Sequence, residues 1–182
     1  MSSYSTPQTS ESSPCFQNTN NTIEEPDRIL LLSISQLLEE TIKKNKRKKF
    51  KILNDCFFSK MIPKISIYDY LFRIVKYTKI NISTLILSIA SITSLMRKTK
   101  NALSYYNIHK LLIASCLLNS KFHEDYTYSS KFYAKVGGIS YKELNFLEIE
   151  FYKKIDYSLL VNEDIFNNYY QFFQTKAKNL KV

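Results

Sequence analysis

Apolar residues return at helical spacing along most of this chain, and the places where that rhythm starts and stops divide it into segments. Residues 1 to about 25 have almost no large apolar side chains and are rich in Ser, Thr, Asn, Gln and Pro, so ordering them would cost backbone entropy without compensating burial. A disordered tail is expected there. From Asp27, just after Pro26, the positions Ile29, Leu30, Leu32, Ile34, Leu37, Leu38 and Ile42 mark an amphipathic helix. The cations Lys43, Lys44, Lys46, Arg47, Lys48 and Lys49 close it, where the negative end of the helix dipole favours positive charge. A connector with Phe57, Phe58 and Pro63 follows.

Five further segments keep the helical period. The first runs near residues 66–77 (Ile67, Tyr70, Leu71, Ile74, Tyr77), with Ser66 and Asp69 placed for a capping box. The second, near 82–96, is apolar almost all round (Ile82, Leu85, Ile86, Ile89, Ile92, Leu95, Met96), a pattern expected in the middle of a bundle. The third, near 104–122, carries Ile108, Leu111, Leu112, Leu118 and Phe122; the fourth is short, rich in Tyr, and ends at Lys135 and Val136. Gly137 and Gly138 then stop the chain, one of them as a left-handed cap. The fifth opens on the clearest local signal, Ser140 with Glu143 as capping box and Ile139 with Leu144 as hydrophobic staple; Leu144, Leu147, Phe151 and Ile155 form its inward stripe. A last helix is expected from Glu163 to about Lys178, with Ile165, Phe166, Tyr169 and Phe172 on one side.

Composition narrows the chemistry. A length of 182 residues suits one core, and only two glycines leave no room for a phosphate loop or a dinucleotide fingerprint. Cys15, Cys56 and Cys116 are too scattered for a zinc site or a disulfide framework, so a reducing compartment is expected. His109 and His123 stand near no nucleophile or second ligand and read as structural. Glu124 with Asp125, and Glu148 with Glu150, are spaced so that a helix points them to different faces, which argues against paired acid/base catalysis. No enzyme activity, metal or cofactor is expected. The uncharged stretch 80–96 is interrupted by Ser, Thr and Asn and reads as a buried helix rather than a membrane span, and no secretory signal opens the chain. Net charge is +10, with six cations packed into residues 43–49, a run that import receptors could read.

The informative stretch is 107–166. It carries N-x-H-[KR]-L-L-I-x-S, then S-K-F-x-[DE]-D, then F-Y-A-K-V-G-G-I-S, then E-L-N-x-L-E-x-E-F, and in these blocks resembles the cyclin box, specifically the P/U-type cyclins of the phosphate-response group. Weaker likeness extends through residues 65–77 and 31–39. The resemblance implies an all-α fold, a single five-helix cyclin box at 61–160, with 26–60 as N-terminal helix and basic connector and 161–182 as C-terminal helix. It also implies function: a regulatory subunit that binds and activates a cyclin-dependent Ser/Thr protein kinase by placing the kinase's C-helix. Lys121 matches the family lysine at the end of the third box helix, and Glu148 the glutamate of the fifth. Around them Leu118, Phe122, Leu147, Tyr152 and Tyr157 stand where the family presents its apolar contact surface.

Three departures from the family pattern matter. Thr93 and Ser94 replace an Asp-Arg pair, which leaves Arg73 without an expected internal partner; residues 63–70 and the absence of Trp remove the substrate-docking patch of cell-cycle cyclins; and Tyr152-Lys153-Lys154 replaces a more apolar stretch. The alternative reading is a cyclin-fold adaptor or scaffold acting in transcription with nucleic-acid contacts. Against it, the basic residues cluster at one helix end without interleaved aromatics. An intracellular place of action, nuclear or cytoplasmic, goes with a kinase partner.

Overall fold

The computed structural model describes residues 23–46 and 55–179, and within them the chain is all helical. The elements are α1 (Glu25–Lys46), α2 (Ile67–Thr78), α3 (Ile82–Thr99), α4 (Ile108–His123), α5 (Ser130–Gly137), α6 (Tyr141–Lys154) and α7 (Glu163–Asn179). Helices α2 to α6 form the five-helix box, flanked by α1 and α7, which pack on each other.

The centre of the bundle is α4, not α3 as the apolar run 82–96 suggested. All of residues 111–120 are buried, together with Ile108 and His109, and α4 packs on α2, α3, α5 and α6. By contrast α3 exposes Thr93, Arg97 and Lys98. Ser88 and Ser91, two of the polar residues that interrupt α3, line its seam with α4. Ser115 Oγ donates to Ser88 O at 2.9 Å, Ser88 Oγ to Thr84 O at 2.8 Å, and Asn119 Nδ2 to Ser115 O at 2.9 Å. Small side chains let the two helices approach, and each buried polar group finds a carbonyl, which removes most of its desolvation cost. Among the described residues no helix is long and apolar enough to cross a membrane.

Caps formed where the sequence signals them. Ser66 accepts from Asp69 N at 3.0 Å and Ser140 from Glu143 N at 3.1 Å, so α2 and α6 begin one residue later, at Ile67 and Tyr141. The Glu143 carboxylate itself is 2.9 Å from Lys110 Nζ, fixing α6 to α4. Gly138 takes the left-handed conformation (φ 70°) that ends α5.

Several expectations need correction. Ile23 and Glu25 are not tail: Ile23 packs on the core, Arg28 Nε donates to its carbonyl at 3.1 Å, and α1 starts at Glu25. Leu31 is fully buried while Leu32 is 37% exposed, because the stripe of α1 follows Leu31, Ile34, Leu38 and Ile42. Tyr77 is exposed and Thr78 buried in its place. Helix α4 begins at Ile108 instead of 104, since the Asn107 side chain closes a turn by accepting from Ser104 N at 2.8 Å. In α7 the inward residues are Phe166, Tyr169, Phe173 and Ala177, whereas Ile165 and Phe172 face outward. The rest of the N-terminal tail, including Cys15, and residues 47–49 of the basic run lie outside the described residues.

Candidate partner-binding surface

Lys121 sits in the last turn of α4 and Glu148 in the middle of α6. Each is placed by buried neighbours. On α4, Leu117, Asn119 and Ser120 point inward, so Lys121 emerges at the rim. On α6, Leu144, Leu147, Phe151 and Ile155 are at most 1% exposed and hold the inward face, which leaves Glu148 on the flank turned to α4. The two charges meet at 2.7 Å (Nζ to Oε1), with the lysine side chain 39% exposed and the glutamate side chain 15%.

The end of α4 is fixed independently of this pair. Glu124, its C-cap residue, accepts from Asn81 N at 2.7 Å through one carboxylate oxygen, while the other lies 3.2 Å from Ser120 Oγ. Ser120 Oγ is also 2.6 Å from Thr127 Oγ1. Glu124 thus joins the start of α3 to the end of α4, a structural role that adjacent carboxylates in a sequence do not reveal.

The remaining residues implied by resemblance divide into two sets. Phe122 (51% exposed) and Tyr157 (62%) are on the surface, and Tyr152, partly buried, packs T-shaped with Tyr157, ring centres 5.1 Å apart. Leu118 and Leu147 are buried, at 8% and 1%, so they support the surface from beneath and do not line it. Phe146 and Ile149, each 54% exposed on α6, were not singled out from sequence. Their signal was present: both fall out of register with the stripe Leu144, Leu147, Phe151, Ile155 and therefore point outward.

Two of the departures acquire structural explanations. Arg73 donates to Lys135 O at 3.5 Å, and Thr93 returns its hydroxyl to Ile89 O at 3.0 Å, so neither position depends on the missing Asp-Arg pair. Lys154 is partly buried, 2.7 Å from Asp55 Oδ1 and above the Phe57 ring, while Lys153 stays at the surface beside Glu150. Burial pushes the Asp55 carboxyl up, but hydrogen bonds from Lys154 and Cys56 and the lysine charge outweigh it and hold the group below its usual range. His109 is structural: its Nε2 is 3.1 Å from Ile65 O, its ring lies against Tyr70, and burial holds its pKa below the usual value. Among the described residues no group of His, Cys, Asp and Glu is arranged to hold a metal ion.

Comparison with known proteins adds a family match. A family model described as Cyclin matches residues 7–159. The chain is 34% identical to Cyclin-U4-3 of Arabidopsis thaliana over 170 residues, covering 91% of this chain and 78% of that protein. It is 31% identical to Cyclin-U2-1 of the same plant over 163 residues (85% of this chain, 70% of that one). It is also 31% identical to Cyclin-P3-1 of Oryza sativa subsp. japonica over 157 residues (84% and 66%).

Proposed function

The chain belongs to the cyclin family, in its P/U-type group, and from that membership we propose that it binds and activates a cyclin-dependent Ser/Thr protein kinase. The observation that carries this reading is the Lys121–Glu148 pair. Its 2.7 Å separation bridges two helices, with exposed Phe122 next to the lysine and Tyr152, one turn on from the glutamate, packed against exposed Tyr157. A kinase C-helix laid on this surface would offer backbone groups to the two charges and apolar side chains to the aromatic rim, and once docked would be held in its active position. The cyclin contributes position, and the kinase contributes chemistry. We take residues 61–160 as the working unit, with the flanking helices completing its core.

Truncating or reversing one member of an enclosed, hydrogen-bonded charge pair at an interface costs about 2–5 kcal/mol of affinity. Lys121→Glu and Glu148→Lys are therefore expected to weaken binding to a cognate kinase at least tenfold in a panel of purified cyclin-dependent kinases, and to lower activation equally. Helicity and melting temperature should stay near the parent, and Lys178→Glu, on the exposed end of α7, serves as control. If a kinase binds and both reversals leave affinity and activation unchanged, the site is wrong.

A further inference from the structure

The basic end of α1 is tied to a second part of the chain. Asn45 Nδ2 donates to Leu103 O at 3.1 Å, and Lys46 Nζ lies 4.8 Å from the centre of the Tyr105 ring. These contacts join the end of α1 to the α3–α4 loop, which starts at Lys100, the left-handed cap of α3, one turn after Arg97. Ser59 N donates to Tyr106 O at 2.8 Å and brings Lys60 to the same end of the bundle.

Lys44, Lys46, Lys60, Arg97 and Lys100 are all exposed, and none has an ion-pair partner among the described residues. The acids nearby are already engaged: Asp55 with Lys154 and Asp156 with Lys98, both at 2.7 Å. Cations collected at one pole without local counter-charges raise the potential there, and an anionic partner relieves their mutual repulsion.

We propose that this cationic pole is a docking surface for an acidic peptide segment of a protein partner. The charges are lysines except for Arg97, compact point charges that suit spaced carboxylates better than bidentate phosphate recognition. Aromatic faces are scarce: Lys46 covers Tyr105, and Tyr106, 40% exposed, is the ring left beside it, so successive bases have no stacking platform. The pole also stands apart from the Lys121–Glu148 surface. Along α4, Lys121 stands about 20 Å from the α3–α4 loop that ends at Ile108, and α1 packs on α2 and α7. The pole does not depend on the kinase reading.

The test uses the full chain and a fluorescein-labelled peptide of alternating Asp and Glu, a dozen residues long, read by fluorescence anisotropy at low salt. The peptide should bind, lose affinity as salt rises, and bind about tenfold more weakly to K44Q/K46Q/R97Q/K100Q. R97Q/K100Q alone should weaken it measurably, because a linear basic run acting by itself would not depend on α3. Lys121→Glu should leave it unchanged. If the quadruple variant fails to fold, as judged by circular dichroism, K44Q/K46Q and R97Q/K100Q separately give the answer. Absence of binding at low salt, indifference to the α3 pair, or tighter binding of an oligothymidylate of similar length overturns the proposal.

Discussion

Gly137 and Gly138 adjoin in sequence but answer to different constraints, and their substitution separates contact from conformation. A Cβ on Gly137 would lie 2.7 Å from Ile113 Cγ1 and 3.3 Å from Tyr70 Oη, whereas a Cβ on Gly138 would meet nothing within 4 Å. Gly138 instead has φ 70°. Ile113 is fully buried in α4 and Tyr70 donates its hydroxyl to Gly137 O at 3.1 Å, so neither neighbour can withdraw and α5 must shift. Overpacking of this kind costs about 1–3 kcal/mol, and the stiffer unfolded chain returns about 0.4–1, so Gly137→Ala should cost about 1–2 kcal/mol net. Gly138→Ala costs a similar amount, about 1–2 kcal/mol, through left-handed strain, and Gly138→Asn costs less because Asn tolerates that region. The two mechanisms part in a double-mutant cycle. Ile113→Ala alone should cost about 2–5 kcal/mol, but it removes the clashing atom, so Gly137→Ala added to it becomes nearly neutral, a coupling of about 1–2 kcal/mol. Gly138→Ala should simply add. Urea unfolding followed by far-ultraviolet circular dichroism measures all six variants. Additivity of Gly137→Ala with Ile113→Ala would refute the close approach of α5 to α4.

Asp55→Asn should destabilise the chain by about 2–3 kcal/mol at neutral pH, because the Asp55 side chain is 5% exposed while Lys154, at 28%, can still reach water. Since the folded carboxyl titrates below its ordinary value of 3.8, its contribution is complete above that pH and lost as pH falls through the lower folded value; a gap between parent and variant that stays constant from pH 6 to acid unfolding would contradict the assignment. We propose the basic run as an import signal: Gln at Lys43, Lys44, Lys46 and Arg47 should move a fluorescent fusion toward the cytoplasm, and an unchanged distribution would remove that role.

Local signals were readable from the sequence where one residue's chemistry settles the local geometry. Ser140 and Ser66 fixed helix starts because a hydroxyl before an amphipathic run has few other uses, and Gly138 marked an end because a left-handed residue was required. Errors arose where periodicity had to choose between adjacent apolar residues. Leu31 against Leu32, and Phe173 against Phe172, differ by one position, and only the packing partner decides which turns inward. The pair Lys121 and Glu148 was legible through resemblance alone, since nothing local links positions 27 apart. Lys110 with Glu143, Glu124 with Asn81, and Lys154 with Asp55 had no sequence signal; each is a contact created by the bundle. The same reason makes the cationic pole invisible to a linear reading, because the tyrosines beside Lys46 come from another loop.

The Lys121–Glu148 pair also has to be explained energetically, and stability does not explain it. A pair with its lysine 39% exposed contributes about 0–1 kcal/mol to folding, a small return for ordering two long side chains. The helices it joins are already fixed, α4 by its buried neighbours and the Glu124 cap, α6 by Ser140 and the Glu143–Lys110 contact. Phe122 and Tyr157 likewise contribute little to the monomer, being more than half exposed, and as apolar surface they favour association. These features have a common use if a partner covers them. Docking removes water from around the pair, strengthening its hydrogen bonds to the partner backbone, while the aromatic rim gains burial that the monomer lacks. A surface that adds little to the fold yet is held rigidly by it can therefore be altered at Lys121 or Glu148 with loss of partner binding and little loss of structure.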